Sequence, residues 1–491
     1  MNTSLEKYFE HFRNNTIGHH EKYKTPYGIV KMIYADWVAS GRLYKPIEDR
    51  ITNEIGPYVA NTHTETSETG TLMTKAYQYS HKKIKEHVNA GPEDVIITAG
   101  FGMTAVINKF QRILGLKMCD KLIYKQCKKE PERPVVLLTH MEHHSNHTTW
   151  LETVADVVVL QPDKDLLIDL NELEKQLEKY KDRKVKFGSF TAASNVTGIE
   201  TPYHKMAKLM HQYGGYCFID CAMCAPYVKI DMHPPDPEER IDAVFFSPHK
   251  FLGGPGSSGV IVFNSNLYRR FSPEQPGGGT VYWTNPWGEY RYYEDIELRE
   301  DGGTPGFLQS IKALLAIELK MQMGLDNMRK REDELLKIAF EELRKIPNLH
   351  ILADNVEERL GVISFYIDNI HYNLIVRLLS DRFGVQVRGG CACAGTYGHY
   401  LLNVDYEKSH KITDLIDKGD LSAKPGWVRI SIHPTMTDED LYFTIDAIKQ
   451  IKKNIDKWEQ DYEYDKHTNE FYNRKVSGEG TVDYNYWFRD L

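Results

Sequence analysis

The sequence predicts an α/β protein: a large domain on a mixed, mostly parallel seven-stranded sheet flanked by helices, followed by a smaller α+β domain. Between about residues 90 and 265, short apolar segments alternate with amphipathic ones. This alternation is typical of strands and helices in a parallel sheet. The order then changes to a long helical stretch near 307–346, strands near 349–353, 361–367 and 427–432, and helices near 371–383 and 437–458. That second pattern favours a separate α+β domain.

Seven short apolar segments are the predicted strands of the large sheet: 95–98, 135–139, 156–160, 185–190, 216–220, 243–246 and 259–263. Amphipathic segments at 169–180 and 201–215 are predicted helices, and the second ends at a Gly pair suited to a helix C-cap. Active sites of such sheets lie at the carboxyl ends of the strands. The residues that follow each strand are therefore the candidates for a functional site.

We expect four segments along the chain: 1–30, an N-terminal part of the small domain; 31–305, the large domain; 306–458, the long helix and small C-terminal domain; and 459–491, a C-terminal extension. Residues 266–304 are rich in Gly, Tyr, Trp and Pro. Connections of that length are usually functional.

Bulk composition excludes some classes of protein. The net charge is -8, from 61 basic and 69 acidic residues, which argues against a nucleic-acid-binding protein. The N-terminus lacks the apolar core of a signal peptide, and no run approaches the ~20 apolar residues that cross a bilayer. We expect a cytoplasmic protein without membrane contact. Its seven cysteines are then expected to be free thiols: Cys119, Cys127, Cys217, Cys221, Cys224, Cys391 and Cys393.

The first strand is followed by a glycine-rich turn. Gly100 and Gly102 allow a tight turn before a helix predicted to begin at Met103. A helix N-terminus behind such a turn can bind an anion, because several backbone N–H groups point outward together. The alternative is an ordinary strand-to-helix connection.

Four histidines follow the second strand: His140, His143, His144 and His147. Their spacing is not the helical His-Glu-x-x-His arrangement of zinc enzymes, and no acidic partner completes a metal site. The interpretation that we prefer is one imidazole lying flat against a planar ligand.

Three further strand ends carry Asn195, Asp220 and Lys250. A buried carboxylate such as Asp220 needs a cationic partner, which a protonated pyridine nitrogen would supply. Lys250 taken alone could be a surface lysine. A phosphate turn, a stacking histidine, a carboxylate and a lysine together indicate a site for pyridoxal 5'-phosphate (PLP), which needs an imine-forming lysine, an acidic partner for its ring nitrogen and a phosphate cup.

The motifs resemble those of the class V aminotransferase group of fold type I PLP enzymes, and within it the cysteine desulfurase and selenocysteine lyase branch. The similarity covers about residues 30–455, apart from two insertions near 115–134 and 403–426. Seven motifs follow the family's order: YADWVASG (34–41), GMTAVIN (102–108), MEHHSN (141–146), SNVTG (194–198), IDCAMCA (219–225), SPHK (247–250) and DGGTPG (301–306).

The resemblance implies a role for each motif. Residues 31–305 would form the PLP-binding domain, and residues 34–41 would lie on the substrate side. Lys250 would form the imine, Asp220 would bind the pyridinium and His143 would stack on the ring. The phosphate would contact Gly102, Met103, Thr104, Ser247 and His249, with Thr304 reaching the phosphate of the neighbouring subunit in a homodimer. Asn195 would lie near the cofactor's oxygen side and the substrate.

One position departs from the family pattern. The family usually has Gln three residues after the aspartate, where this chain has Met223. A thioether is only a weak hydrogen-bond acceptor for the cofactor's phenolic oxygen. Cofactor electronics or substrate preference are therefore expected to differ.

Two motifs favour a particular reaction. Arg429 in VRISIHPTMTDED resembles the arginine that binds the substrate α-carboxylate, for which a planar guanidinium is suited. In VRGGCACAG, Cys393 aligns with the loop cysteine that takes sulfur from the PLP-bound substrate, and Arg388 with an arginine of the same loop. Cys391 has no equivalent in the relatives, so it could resolve or relay a persulfide or do nothing.

The expected function is therefore a PLP-dependent cysteine desulfurase that makes alanine and an enzyme persulfide on Cys393, with Lys250 moving the proton at Cα and His143 helping as acid or base. A sulfur-acceptor protein or small thiol would take the persulfide sulfur. Two alternatives stay open: a class V aminotransferase, lyase or epimerase for another amino acid, and an inactive PLP-fold binding protein. Zinc binding by Cys391, Cys393, Cys221 and Cys224 is disfavoured, because the last two flank the cofactor aspartate.

Overall fold

The computed structural model describes residues 4–117, 132–475 and 484–489. Cys119, Cys127 and most of an insertion noted near 115–134 lie outside these residues. The chain forms two compact units. The larger unit contains residues 40–194 and 200–325, and the smaller one contains residues 1–39, 195–199 and 326–491.

The strands of the described residues, in chain order, are β1 (Lys22–Thr25), β2 (Gly28–Lys31), β3 (Ile33–Tyr34), β4 (Asp94–Ala99), β5 (Val135–Leu138), β6 (Asp156–Val159), β7 (Lys186–Thr191), β8 (Tyr216–Asp220), β9 (Ala243–Phe246), β10 (Gly259–Asn264), β11 (Val281–Thr284), β12 (Tyr290–Tyr292), β13 (Leu349–Ile351), β14 (Val362–Ile367), β15 (Val385–Gln386), β16 (Arg388–Gly390), β17 (Trp427–Ser431), β18 (Tyr462–Asp465) and β19 (Glu470–Asn473).

The α-helices of the same residues are α1 (Leu5–Tyr8), α2 (Glu10–Asn14), α3 (Lys45–Asp49), α4 (Glu68–His87), α5 (Met103–Ile113), α6 (His144–Leu151), α7 (Leu170–Lys179), α8 (Tyr203–Gln212), α9 (Ile296–Arg299), α10 (Phe307–Met323), α11 (Leu325–Leu343), α12 (Tyr372–Leu378), α13 (Gly395–Leu401), α14 (Tyr406–Asp417) and α15 (Asp438–Trp458). None of these helices is both long and apolar enough to span a membrane.

The larger unit is built on a seven-stranded sheet with the order β4-β10-β9-β8-β7-β5-β6. The strands from β9 to β6 pair in parallel, whereas β10 is antiparallel to both of its neighbours. The predicted mixed, mostly parallel sheet is confirmed, and each predicted strand matches a strand in the structure. Strands β5, β7 and β9 are buried along their whole length, as expected where helices cover both faces.

Aromatic side chains hold helix α5 against this sheet. The ring of Phe110 on α5 lies 5.1 Å from that of Phe218 on β8 and 5.0 Å from that of Phe263 on β10. All three side chains are fully buried. Aromatic pairs at such separations add to the stabilisation from buried area. The packing fixes the N-terminus of α5 at the end of β4.

The smaller unit contains a four-stranded antiparallel sheet with the order β13-β14-β17-β16. The predicted helix at 307–346 is instead two helices, α10 and α11, because Gly324 adopts a φ of 76° between them. The predicted helix at 371–383 is α-helical only as α12 and continues as a π-helix over Leu379–Phe383. Strand β16, which the sequence did not predict, carries Arg388 beside Arg429 of β17.

Two hairpins lie in segments for which the sequence analysis predicted no strands. Strands β11 and β12 form an antiparallel hairpin within residues 266–304. Strands β18 and β19 form another in the C-terminal extension. The second hairpin is attached to the smaller unit, since Tyr462 on β18 is buried and its hydroxyl donates to Asp381.

Candidate active site

A cup for an anion forms in the larger unit where β4 meets α5. The backbone N–H of Met103 donates to Oγ of Ser247 over 2.8 Å, which leaves the Ser247 O–H as a donor. A Cβ on Gly102 would lie 3.1 Å from the Ser247 oxygen and 3.5 Å from the ring of His249. Gly102, Met103, Ser247 and His249 are therefore together at a helix N-terminus, which favours anions.

The same helix start is linked to the predicted ring-stacking histidine. Thr104 Oγ1 lies 2.6 Å from Ser145 Oγ, within hydrogen-bond distance. The N–H of Ser145 donates to Nδ1 of His143 over 3.1 Å. Since Nδ1 accepts, the imidazole is neutral with its proton on Nε2. His143 is half-buried and forms the N-cap of α6.

Glu142 holds the loop of His143, and the sequence had given it no role. Its carboxylate accepts hydrogen bonds from the N–H and hydroxyl of Thr139, from the amide of Asn146 and from the N–H of Thr191. Burial raises the pKa of Glu142 to about 8, against the opposing effect of these hydrogen bonds. A buried acid with so many donors fixes the ends of β5 and β7.

Asp220 is the last residue of β8 and is 4% exposed. Its Oδ1 accepts a hydrogen bond from the N–H of Ala222 over 2.8 Å. Burial raises the pKa of Asp220 to about 6, while that hydrogen bond and the charge of Lys250 lower it. A cation at this carboxylate would offset the cost of its burial.

Lys250 ends a short 3-10 turn that follows β9, and it is half-buried. Its charge acts on two neighbours. It lowers the pKa of Asp220, and together with burial, the larger cause, it lowers the pKa of His249 to about 4. Lys250, Asp220 and His249 are thus close enough to interact, at the carboxyl ends of adjacent strands.

Buried sulfur groups flank Asp220 in the sequence. Met223 is 4% exposed, and Cys221, Cys224 and Cys217 of β8 are buried. Burial raises the pKa of Cys217 well above its ordinary value, and the hydrogen bond with Cys224 and burial do the same for Cys221. Cys217 and Cys221 are held as thiols, which are poor nucleophiles.

Thr304 is exposed, in a loop that also carries Asp301. Asp301 accepts a hydrogen bond from the hydroxyl of Tyr77 and lies 4.0 Å from Nε2 of His63. All three side chains line a cavity of about 540 Å³ in the larger unit. None of the predicted cofactor residues lines it. Burial raises the pKa of Asp301 to about 6.

Arg429 is the centre of a second cluster, in the smaller unit. Its side chain is 3% exposed, donates from Nη2 to Asp36 over 2.8 Å and from Nη1 to the carbonyl of Asn195 over 3.1 Å. Within the described residues its Nε is buried without a hydrogen-bond partner. A guanidinium has five N–H donors, so that of Arg429 keeps donors for a carboxylate, Nε among them.

Asp36 also binds Arg388, so one carboxylate bridges two arginines. Nε of the exposed Arg388 lies 3.1 Å from Asp36 Oδ2. Asp36 belongs to the YADWVASG motif, but the sequence did not reveal its partners, which lie 352 and 393 residues further on. The available signal in the sequence was that Asp36 is the one acidic residue of that motif.

Residues 388–394, which we call the cysteine loop, end in a strained turn. The N–H of Ala394 donates to the carbonyl of Cys391 over 3.0 Å, and Ala392 and Cys393 have φ values of 47° and 56°. Residues other than Gly rarely adopt this left-handed conformation. The amide of Asn195 holds the turn through the Ala392 carbonyl, at 2.6 Å. Cys393 is exposed.

The four histidines and the two cysteine pairs are side chains of the types that bind metal ions. Across the part of the chain that the structure describes, no three or more histidine, cysteine, aspartate or glutamate side chains are arranged to hold a metal ion.

Comparison with known families identifies the class of protein that this fold and site define. A profile of the aminotransferase class-V family matches residues 33–442, most of the chain. The chain belongs to the aminotransferase class-V family, whose members are PLP-dependent enzymes. The predicted family is therefore confirmed.

The curated relatives carry a narrower name. A probable cysteine desulfurase from Halalkalibacterium halodurans is 27% identical over 368 residues, covering 74% of this chain and 84% of the relative. A cysteine desulfurase from Haloferax volcanii is 26% identical over 426 residues, covering 82% and 92%. The predicted branch of the family agrees with both.

Solved structures confirm the fold. The apo cysteine desulfurase from Thermococcus onnurineus superposes with a TM-score of 0.70 at 22% identity, covering 86% of this chain and 95% of that one. The cysteine desulfurase CsdA from Escherichia coli, in its S-sulfonic acid form, has a TM-score of 0.66 at 20% identity, covering 86% and 94%.

Proposed function

We propose that this protein is a PLP-dependent cysteine desulfurase, which removes sulfur from L-cysteine, releases alanine and keeps the sulfur as a persulfide on Cys393. The observation that carries the proposal is the cysteine loop, where an exposed cysteine lies in a turn held by Asn195, the residue whose carbonyl also binds Arg429. A transaminase or an epimerase needs no such cysteine.

The larger unit fits PLP. The N-terminus of α5 and Ser247 offer donors to a phosphate. Asp220 is a buried acid whose raised pKa would fall beside a pyridinium. Lys250 lies close enough to Asp220 to interact with it. His143 and Met223 would complete the site, and the exposed Thr304 would reach the phosphate of a second copy in a homodimer.

Arg429 would bind the α-carboxylate of the substrate. Its unpaired Nε is a donor for one carboxylate oxygen. Asp36, which occupies Nη2, is an internal anion that the substrate carboxylate would partly replace. Asn195 and Arg388 would act with Arg429 on the same substrate end, because Asn195 contacts Arg429 and Arg388 shares Asp36.

PLP, when bound, would withdraw electrons from the substrate Cα. Lys250 Nζ would take the Cα proton and return it, with neutral His143 as an additional acid or base through Nε2. Thiolate Sγ of Cys393 would attack the substrate sulfur. The new bond is Cys393 S–S, the substrate Cβ–S bond breaks, and its electron pair stays on carbon, which takes a proton to become alanine. A sulfur-acceptor protein or thiol would then remove the sulfur.

The test is an assay of alanine and sulfide from L-cysteine and a reductant, with protein loaded with PLP. We expect equal amounts of both products. Lys250→Ala should lose bound PLP absorbance and activity, whereas Cys393→Ser should keep the absorbance and lose about 10²–10⁴-fold in rate, the usual contribution of a reacting group. Lys229→Ala, at an exposed lysine of the same unit, is the control.

Other outcomes identify the alternatives. Pyruvate in place of alanine would indicate β-elimination. Alanine formation that survives Cys393→Ser would contradict the role of the cysteine loop. If the protein shows no PLP absorbance after loading, the inactive PLP-fold binding protein would be the one remaining interpretation.

A further inference from the structure

Cys391 contacts a segment that is also outside the family resemblance. The insertion at residues 403–426 ends next to the cysteine loop, where Cys391 Sγ donates to the carbonyl of Pro425 over 3.0 Å. The charge of Lys424 acts on the same sulfur, since it lowers the pKa of Cys391 against the larger raising effect of burial. Two features that the family resemblance does not explain therefore meet at one thiol.

The C-terminal hairpin supports this contact. Between β18 and β19, the carbonyl of Lys466 accepts a hydrogen bond from the N–H of Leu421 in the insertion, at 2.8 Å. Asn469 donates to the hydroxyl of Tyr372, which in turn donates to the carbonyl of Lys424. The residue before Pro425 is thus part of a network that joins the insertion, helix α12 and the hairpin.

The two cysteines differ in exposure. Cys393 is exposed, whereas Cys391 is partly buried, and a hydrogen bond fixes its sulfur. They are the first and third residues of one turn, and the sulfur of Cys393 is close enough to raise the pKa of Cys391. The outer sulfur of a persulfide on Cys393 would therefore have a second thiol, that of Cys391, in the same turn.

We infer that Cys391 receives the sulfur atom that Cys393 takes from the substrate. This inference rests on the proposed function. The Cys391 sulfur attacks the outer sulfur of the Cys393 persulfide, the Cys391 S–S bond forms, and the Cys393 S–S bond breaks. The electron pair stays on the Cys393 sulfur, which takes the proton that Cys391 gives up. No oxidant or reductant is consumed, because one persulfide and one thiol give one thiol and one persulfide.

Charge and exposure give this transfer a direction. A persulfide on Cys391 would be partly buried, as the thiol is, and the charge of Lys424 would offset part of the cost of burying its anion. The insertion would cover it partly, as it covers the thiol. Cys393 would be a thiol again and could react with a second substrate. The chain would then hold two sulfur atoms before an acceptor arrives.

The test is a pre-steady-state burst of alanine from L-cysteine without acceptor or reductant. PLP-loaded wild-type protein should release about two alanines per chain, and Cys391→Ser about one. Persulfides are trapped with an alkylating reagent and located by fragmentation of the peptide that contains both cysteines. In wild type the label should appear first on Cys393 and then on Cys391; in Cys393→Ser, neither residue should carry it.

A second pair of variants tests the role of the insertion. Lys424→Met should slow the appearance of label on Cys391 severalfold, and Lys424→Arg should restore it. Lys411→Met, at an exposed lysine elsewhere in the insertion, should have no effect. These variants keep both cysteines, so a folding defect of Cys391→Ser does not decide the result.

The failure of this inference and that of the proposed function have different signatures. One alanine per chain, with persulfide on Cys393 at all times, would overturn the relay and leave the desulfurase intact. Absence of both alanine and persulfide from wild type would overturn the proposed function itself. Persulfide on Cys391 in Cys393→Ser would contradict the order of transfer.

Discussion

The carboxyl edge of the seven-stranded sheet and the cysteine loop hold their functional groups in different ways. At the sheet edge, Asp220 ends a strand, and Lys250 lies within a turn of the end of another. In the cysteine loop, the groups depend on residues distant in sequence, such as Asp36, Asn195 and Pro425. The edge is rigid because its strands share backbone hydrogen bonds, whereas the loop concentrates backbone strain.

Apart from the replacement of Lys250 or Cys393, the largest effect should come from Asp220→Asn at the sheet edge. Asparagine cannot keep a ring nitrogen protonated, so we expect a loss of about 10²–10³-fold in alanine formation, on the scale of a lost charge partner at a reacting group. The absorbance of bound PLP should also shift. Asp242→Asn is the control, since Asp242 is a buried carboxylate of the same unit that pairs with His211. Equal losses in both variants would indicate damage to the sheet rather than to the site.

The second largest effect should come from low pH, which should weaken the binding of PLP at the sheet edge. The pKa of Asp220 without cofactor is raised to about 6, so the carboxylate is protonated below that pH and cannot pair with a cation. Affinity for PLP should therefore be constant above pH 7 and fall about tenfold per unit below pH 6, since one group titrates. The raised pKa also means that Asp220 stabilises the apoprotein below pH 4 and that this stability is lost as pH rises through 6. Titration of PLP into apoprotein between pH 5 and 8 checks the slope.

In the smaller unit, Asp36→Asn should change substrate binding moderately. Without the internal anion, Arg429 and Arg388 would face the substrate carboxylate uncompensated, so KM for L-cysteine should fall about threefold, a modest part of a charge-assisted contact. Asp438→Asn, which removes a carboxylate from Arg331 in the same unit, is the control. A raised KM would instead show that Asp36 orients the guanidinium.

The smallest effect should come from relieving the backbone strain of the cysteine loop. Ala392→Gly removes the cost of holding a non-glycine residue in the left-handed conformation. We expect it to raise the free energy of unfolding by about 1 kcal/mol, before the greater entropy of glycine in the unfolded chain is counted. Ala353→Gly, at a φ of 51° in the same unit, should give a similar gain in urea unfolding. Persulfide formation on Cys393 should slow only in Ala392→Gly, because only that turn presents the nucleophile.

Prediction from sequence was accurate where structure is local. The strands of the large sheet were predicted because their apolar runs and turn residues are short-range signals. Strand β16 was missed because Arg-Gly-Gly has no apolar periodicity. The break at Gly324 was missed within a continuous apolar pattern. The roles assigned to Lys250, Cys393 and the other site residues stay predictions.

Side chains without a local pattern could not be predicted. Glu142 lies in the MEHHSN motif, yet its contact with Thr191 depends on the pairing of β5 with β7. The contact between Cys391 and Pro425 depends on the insertion and the C-terminal hairpin together. Such contacts arise from tertiary structure, which a single sequence does not specify by spacing.

The smaller unit also has a consequence for synthesis of the chain. It combines residues 1–39 with residues 326–491, and the carbonyl of Ala35 accepts its hydrogen bond from Ser431 of β17. At translation rates of about 5–20 residues per second, the first segment waits roughly 20–80 s for that partner. We expect the larger unit, whose sheet is complete at residue 264, to fold first. Arg429 and the cysteine loop, encoded late, are then among the last parts of the enzyme to be assembled.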